Sequence, residues 1–259
     1  PGIRIQKSQG GGGSPVIRGF EANRLLLVVD GVRLNNAIYR SGHLQNSLTI
    51  HPNMIERVEV VYGSSSVGYG SDALGGVVHY YTKNPLINNE KKIRTQLSSD
   101  FSTANNSYIN SISTELSFKK WASLTSLSYS DFGDIRMGRN RTHGYENWGL
   151  NFLYSLNNRN TYSPDPVINL NPSIQKNTDY NQIDLLQKFL FKLNAENQLV
   201  VNFQYSNSSD IPRYDKLVEN RNGFLRYAEW YYGPQKRLLF SPQLKIFPRK
   251  KLLNSGKVT

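Results

Sequence analysis

The sequence predicts two unlike regions: a short α+β domain over residues 1–84 and, over 85–259, antiparallel strands of an all-β transmembrane barrel. Three observations predict this. After Asn84-Pro85 the apolar residues alternate strictly with polar ones, the connections between the alternating segments are short and long in turn, and no apolar run approaches the roughly 18 residues that a spanning helix requires. The mean hydropathy of −0.52 fits a barrel, in which lipid-facing residues alternate with polar ones while aromatics accumulate. Sixteen Tyr and eleven Phe supply those aromatics.

In the first region the segments are short, apolar and punctuated by glycine. Leu25 to Asp30, Ile55 to Tyr62 and Val77 to Thr82 read as strands buried on at least one face, closed by turn signals at Asp30-Gly31, Gly63-Ser64 and Asn84-Pro85. The mixed stretch between Asn35 and Ile50 has room for a short helix. Gly10 to Ser14 reads GGGGS, the composition of an engineered linker, but Pro15 to Gly19 continues into an ordered pattern, which favours a tight natural loop.

The second region holds six alternating segments, at about 93–102, 107–119, 121–131, 181–194, 197–208 and 235–247. Lys119-Lys120 and Ala195-Glu196 make tight turns, whereas 132–180 and 209–234 are long and rich in Asn, Arg, Tyr, Gly and Pro. The alternation at Leu150, Phe152, Tyr154 and Leu156 is placed within the first long loop, because a strand there would break the parity of the connections. A soluble sandwich also shows period two, but with strands of about five or six residues and without long loops on alternate connections. Gly256 to Thr259 reads as the start of a further extended segment, and Pro1 begins without a Met or an apolar leader, so the chain is expected to be an internal piece of a longer protein.

The absence of Cys excludes disulfides, thiolate metal sites and Cys nucleophiles. The net charge of +12 would attract any polyanion, but Lys and Arg are scattered without a basic helix or a stacking motif, so no nucleic-acid partner is expected. The four His show no HExxH spacing and no Ser lies in a GxSxG elbow, so no catalytic residue and no resident cofactor are expected. GYGSDALGG lacks the dinucleotide-fingerprint spacing and precedes a strand.

Four blocks then stand out in order: Ser14 to Phe20, Arg24 to Asn35, Ile55 to Gly63 and Ser66 to Val78. Together they resemble the plug domain of TonB-dependent outer-membrane receptors. The segment Asn35 to Asn46 is most similar to the haem, haemoglobin and transferrin receptor-like branch. The resemblance implies the C-terminal part of a plug at 1–84, followed by the first strands of a barrel of about 22 strands. It implies the outer membrane of a Gram-negative bacterium, with its lipid and lipopolysaccharide, as the setting. It also implies energising by the TonB-ExbB-ExbD complex through a segment outside this chain, and active uptake of a scarce nutrient. An iron chelate or haem, free or from a host haem protein, is the expected cargo; a glycan or cobalamin receptor, or a purely structural barrel or adhesin, is the alternative.

The resemblance assigns Arg18, Arg57 and Glu59 to a lock between plug and barrel, and the polar lumen explains why a plug would carry such charges, Glu56 among them. Gly19, Gly31, Gly63, Gly70, Gly75 and Gly76 are expected at turns or close approaches. Tyr39, Arg40, His43, Arg139, Arg141 and His143 are the candidate ligand contacts: the cations suit haem propionates or a ferric siderophore, and the His43 imidazole could ligate haem iron. Otherwise no metal site is expected.

Overall fold

The structure is a computed structural model that describes residues 2–7, 10–21, 24–34, 49–70, 73–140, 144–158, 161–162, 166–247 and 256–258. Among the described residues its first part holds six strands. Strands β1 (Ile3–Gln6) and β2 (Ser14–Ile17) form an antiparallel pair. Strands β3 (Leu25–Val29), β4 (Val32–Arg33), β5 (Ile55–Val61) and β6 (Gly76–Thr82) form a mixed sheet in the order β4-β3-β6-β5, with β3 and β6 parallel.

The unbroken apolar run of β3 follows from burial on both faces. Leu25, Leu27 and Val29 pack with Ile17, Ile50, Val78 and Tyr80, while Leu26 and Val28 pack with Ala73 and Val77. Leu239, from the second part of the chain, belongs to the first of these clusters, so the small sheet is seated directly on the large one.

The large sheet is a meander of seven strands: β7 (Lys92–Ser102), β8 (Ser107–Ser117), β9 (Trp121–Phe132), β10 (Tyr180–Lys192), β11 (Asn197–Ser208), β12 (Lys236–Ile246) and β13 (Gly256–Val258). Every neighbouring pair is antiparallel. The six long strands lie within two residues of their expected bounds, and the seventh starts where the terminal extended segment was read. The expected helix between Asn35 and Ile50 falls, apart from its last two positions, outside the described residues.

The pleat sorts the side chains as a barrel wall requires, polar inward and apolar outward. On β10 the buried parity is Tyr180, Gln182, Asp184, Leu186 and Lys188, and on β11 it is Val200, Asn202, Gln204, Ser206 and Ser208. The opposite parity exposes Ile93, Leu97, Phe101, Ile112, Leu127, Tyr129, Leu238 and Phe240. No helix among the described residues is long and apolar enough to cross a membrane, which bears only on helical crossing.

The long connection after β9 is not featureless. Ile135–Arg136 pairs with Ile174–Gln175 and Leu153–Tyr154 with Val167–Ile168, so the alternation seen around Leu150 to Leu156 is a short ribbon inside the loop. These loops rise from the end of the wall that carries Phe132 and Tyr180, which is the outer end if the tight turns face the periplasm.

Candidate functional site: the contact between plug and wall

The best-organised polar site in the described residues is where the β3–β4 turn meets β10, β11 and β12. Asp30 and Gly31 both have positive φ, 50° and 91°, the two-residue turn whose twist suits a hairpin. That conformation aims the Asp30 carboxylate at the wall. Its Oδ1 accepts from the Thr82 N–H at 2.9 Å, and its Oδ2 accepts from Thr82 Oγ1 at 2.6 Å, Asn202 Nδ2 at 2.8 Å and Gln204 Nε2 at 2.9 Å. Lys188 completes the site with its Nζ 3.2 Å from Oδ2.

Lys188 is 2% exposed. An ammonium has three N–H donors, and here it has three acceptors within reach: Asp30, the Thr82 carbonyl at 3.1 Å and Asn84 Oδ1 at 3.0 Å. The Asp30 carbonyl accepts from Gln243 Nε2 at 3.0 Å, so even the turn's backbone is held by the wall. Burial pushes the Asp30 carboxyl up, but the Lys188 charge and the Thr82 hydrogen bonds outweigh it and hold the group below its ordinary range.

Two further contacts extend the seat. Arg237 on β12 donates from Nη2 to the Thr49 carbonyl at 2.8 Å and from Nη1 to Gln204 Oε1 at 2.8 Å. On the other flank Asn53 Nδ2 donates to Ser111 Oγ on β8 at 2.7 Å, just after His51, whose Nδ1 accepts from the Asn53 N–H. Burial lowers the His51 pKa, with Asp100 partly opposing.

The expected lock residues sit elsewhere. Arg18 is exposed with φ of 49° and stacks over the Tyr62 ring at 4.4 Å. Arg57 and Glu59 pair with each other at 2.7 Å on β5, an edge strand, and Arg57 lies 3.8 Å over the Tyr81 ring. Among the expected glycines, Gly19, Gly31, Gly63, Gly70 and Gly76 have positive φ. Gly75 has a steric role, since a Cβ there would lie 2.3 Å from Phe20 Cβ. The GGGGS loop is packed against the wall: a Cβ on Gly11 would come within 3.0 Å of both Ile211 and Tyr180. Tyr39, Arg40, His43, Arg141 and His143 lie outside the described residues, and Arg139 is exposed in the loop after β9.

Sequence reasoning missed Asp30, read there only as a turn residue, and missed Lys188, Asn202, Gln204, Arg237 and Gln243. A usable signal was present: mid-strand charges and amides that share one parity of a strand whose other parity is apolar. At the end of the wall that carries Phe132 and Tyr180, a cavity of about 700 Å³ opens between the first loop and the wall. Phe132, Ile135, Met137, Trp148, Tyr180 and Tyr214 give it an aromatic and apolar lining, with Lys7 and Asp215 as charged groups.

A domain of mixed sheet held by buried polar groups against the inward face of barrel strands is the geometry of a plugged barrel. The profile of the TonB-dependent Receptor Plug Domain family matches residues 1–77. The match covers the first part of the chain, so residues 1–77 are similar to the plug domain of TonB-dependent receptors. The chain is 44% identical over 84 residues to the vitamin B12 transporter BtuB of Vibrio vulnificus, a match covering 32% of this chain and 13% of that protein. It is 39% identical over 94 residues to the heme/hemopexin utilization protein C of Haemophilus influenzae, covering 36% of this chain and 13% of that protein. In fold it is similar to the FrpB iron transporter of Neisseria meningitidis, with a TM-score of 0.67 at 16% identity over 95% of this chain and 33% of that one. The chain therefore spans about an eighth of those relatives in sequence and about a third of that structure in fold. The proteins it is similar to are transporters and receptors.

Proposed function

We propose that the longer protein containing this chain is a TonB-energised outer-membrane receptor of a Gram-negative bacterium that takes up an iron chelate or haem. Residues 1–84 are its plug portion and 85–259 the adjoining wall strands. The observation that carries this reading is the seating of the plug: a buried ion pair, Asp30 with Lys188, holds the plug against the inward face of the wall, and an aromatic cavity opens at the end of that wall that carries Phe132 and Tyr180. A plug that must later move is better held by a few directional polar contacts than by a continuous apolar interface. Energy would reach it from the TonB-ExbB-ExbD complex.

The aromatic lining of the outer cavity, with Lys7 at its edge, suits a flat aromatic-bodied anionic cargo. Similarity to both a cobalamin transporter and a haem protein leaves the cavity chemistry to favour haem or an aryl siderophore. Tyr39, Arg40, Arg139 and Arg141 are proposed to meet the anionic groups of such a cargo, and His43 and His143 to offer imidazole to haem iron. Arg18, Arg57 and Glu59 are proposed to engage wall strands of the longer protein.

The test is spectroscopic titration of the full-length parent with haemin, alongside uptake of radiolabelled haemin by cells with and without an uncoupler. A shifted haem spectrum and uncoupler-sensitive uptake are expected, with the shift altered in His43→Ala or His143→Ala. An unchanged spectrum in the wild type would remove haem as the cargo.

A further inference from the structure

A second chamber lies beneath the outer cavity. It measures about 330 Å³, sits between plug residues Ile50 to Asn53 and the wall, and shares Lys7, Gly10, Phe132 and Tyr180 with the cavity above. The shared boundary is an aromatic pair. Phe132 and Tyr180 are partners across β9 and β10, with ring centroids 4.6 Å apart and planes 20° from parallel.

Below this pair the lining mixes apolar groups, Ile50, Pro52 and Ile109, with polar ones, His51 and Asn53 from the plug and Asp100, Ser130 and Gln182 from the wall. The same face of β9 continues inward through Ser128 and Ser126, which are 1% and 2% exposed. Neither hydroxyl has a hydrogen-bond partner among the described residues. Unpaired buried hydroxyls are uncommon and unfavourable, so two in succession on one face require a reason beyond holding the plug. The polar stripe ends at an apolar contact in which Met54 of the plug meets Leu124 and Leu186.

We propose that the seam between plug residues 49–54 and the inner face of β8, β9 and β10 is the route by which a solute passes the plug. The Phe132–Tyr180 pair is its outer gate, and the contact of Met54 with Leu124 and Leu186 is its inner gate. This rests on the uptake reading given above. The serines suit the role because they are small, uncharged and able to exchange hydrogen bonds with a solute that is leaving water. The plug bridges this flank by the neutral Asn53–Ser111 bond, whereas the flank at β10 to β12 carries the buried ion pair. Displacing residues 50–54 would therefore open the seam while the Asp30 seat and the Arg237 contact at Thr49 still hold.

The experiment uses single-cysteine variants of the full-length parent with any cysteine outside this Cys-free chain replaced by Ser. Ser126→Cys and Ser128→Cys report on the seam, and Ser241→Cys reports on the inward face of β12. Cells are treated with 2-sulfonatoethyl methanethiosulfonate, energised or uncoupled. Labelling of the two seam cysteines is expected to rise about tenfold on energisation, while the β12 cysteine changes less than about twofold. Equal responses on both flanks, or no response at the seam, would overturn the route.

A second variant, Ser128→Phe, fills the seam without touching the outer cavity. It is expected to abolish energised uptake of radiolabelled haemin and to leave haemin binding intact, and uptake at the wild-type rate would also overturn the route. If the wild-type parent took up no haemin while the seam cysteines still labelled on energisation, the cargo reading would fail and the seam would stand.

Discussion

The two flanks of this wall face the same plug with strands of similar length, yet they offer it opposite chemistry. Strands β10 to β12 turn Asp184, Lys188 and Arg237 inward together with Asn202, Gln204 and Gln243. Strands β8 and β9 turn Ser111, Ser113, Ser126, Ser128 and Ser130 to the same lumen. Long charged side chains reach across to the plug and fix it, and short hydroxyls leave space. A charged pair on the second flank, Arg94 with Glu115, is 3.8 Å apart, and Arg94 is largely exposed, so screening by water leaves it little holding power. Among the described strands the plug is thus held mainly at β10 to β12, and the flank that holds it weakly is the one that encloses a chamber.

The largest expected effect is at Lys188. Lys188→Met leaves the Asp30 carboxylate buried without its counter-charge, which should destabilise the docked plug by about 3–5 kcal/mol. Thermal unfolding and protease sensitivity of the plug in the full-length parent would report this. Ser128→Ala removes a hydroxyl that has no partner among the described residues, so it should be nearly neutral. Comparable losses in the two variants would break the contrast between flanks. The double variant Asp30→Asn with Lys188→Met should recover part of the loss, because no buried charge remains unpaired.

Acid should weaken the same flank. The Asp30 carboxyl is held below its ordinary range in the folded protein, so the unfolded chain binds the proton more readily. The stabilisation is therefore fully present above the unfolded carboxylate pKa of about 3.9 and is lost as pH falls below it through the lower folded value. Melting temperature measured between neutral pH and about pH 3 should fall less steeply in Asp30→Asn than in the wild type. Parallel curves would mean that the charge of Asp30 does not hold the plug.

Much of this architecture was legible in the sequence, and the reason is periodicity. The wall strands were readable because each must be apolar toward lipid and polar toward the plug, which imposes period two over 11 to 13 residues. The β3 run was readable because burial on both faces demands continuous apolar residues. The seat was not readable, because its partners lie far apart along the chain and each has an ordinary local explanation. Asp30 is already accounted for as the first residue of an Asp-Gly turn, and Lys188 as one polar position in an alternating strand. Only pairing in space shows that the turn residue is also the counter-ion. The lock that family resemblance suggested, at Arg18, Arg57 and Glu59, rests on charged residues at matching motif positions. Charge of that kind marks a surface without naming its partner.

The smallest expected effect is at Arg57. In this chain Arg57 and Glu59 satisfy each other on the exposed edge strand β5, and Arg57 also rests on Tyr81, so water already screens much of their attraction. If wall strands of the longer protein add a carboxylate there, as we propose, Arg57→Ala should leave haemin binding unchanged and modestly increase the leakage of large antibiotics. The leak should be well below that of Lys188→Met, because an exposed cation loses less on removal than a buried one. Measuring antibiotic permeability of cells carrying each variant places the two sites on one scale. A leak as large as that of Lys188→Met would show that the plug is locked from both sides, and the seam along β9 would then need a release at β5 as well. No leak at all would assign Arg57 and Glu59 to an ordinary surface pair, leaving Asp30 and Lys188 to carry the hold.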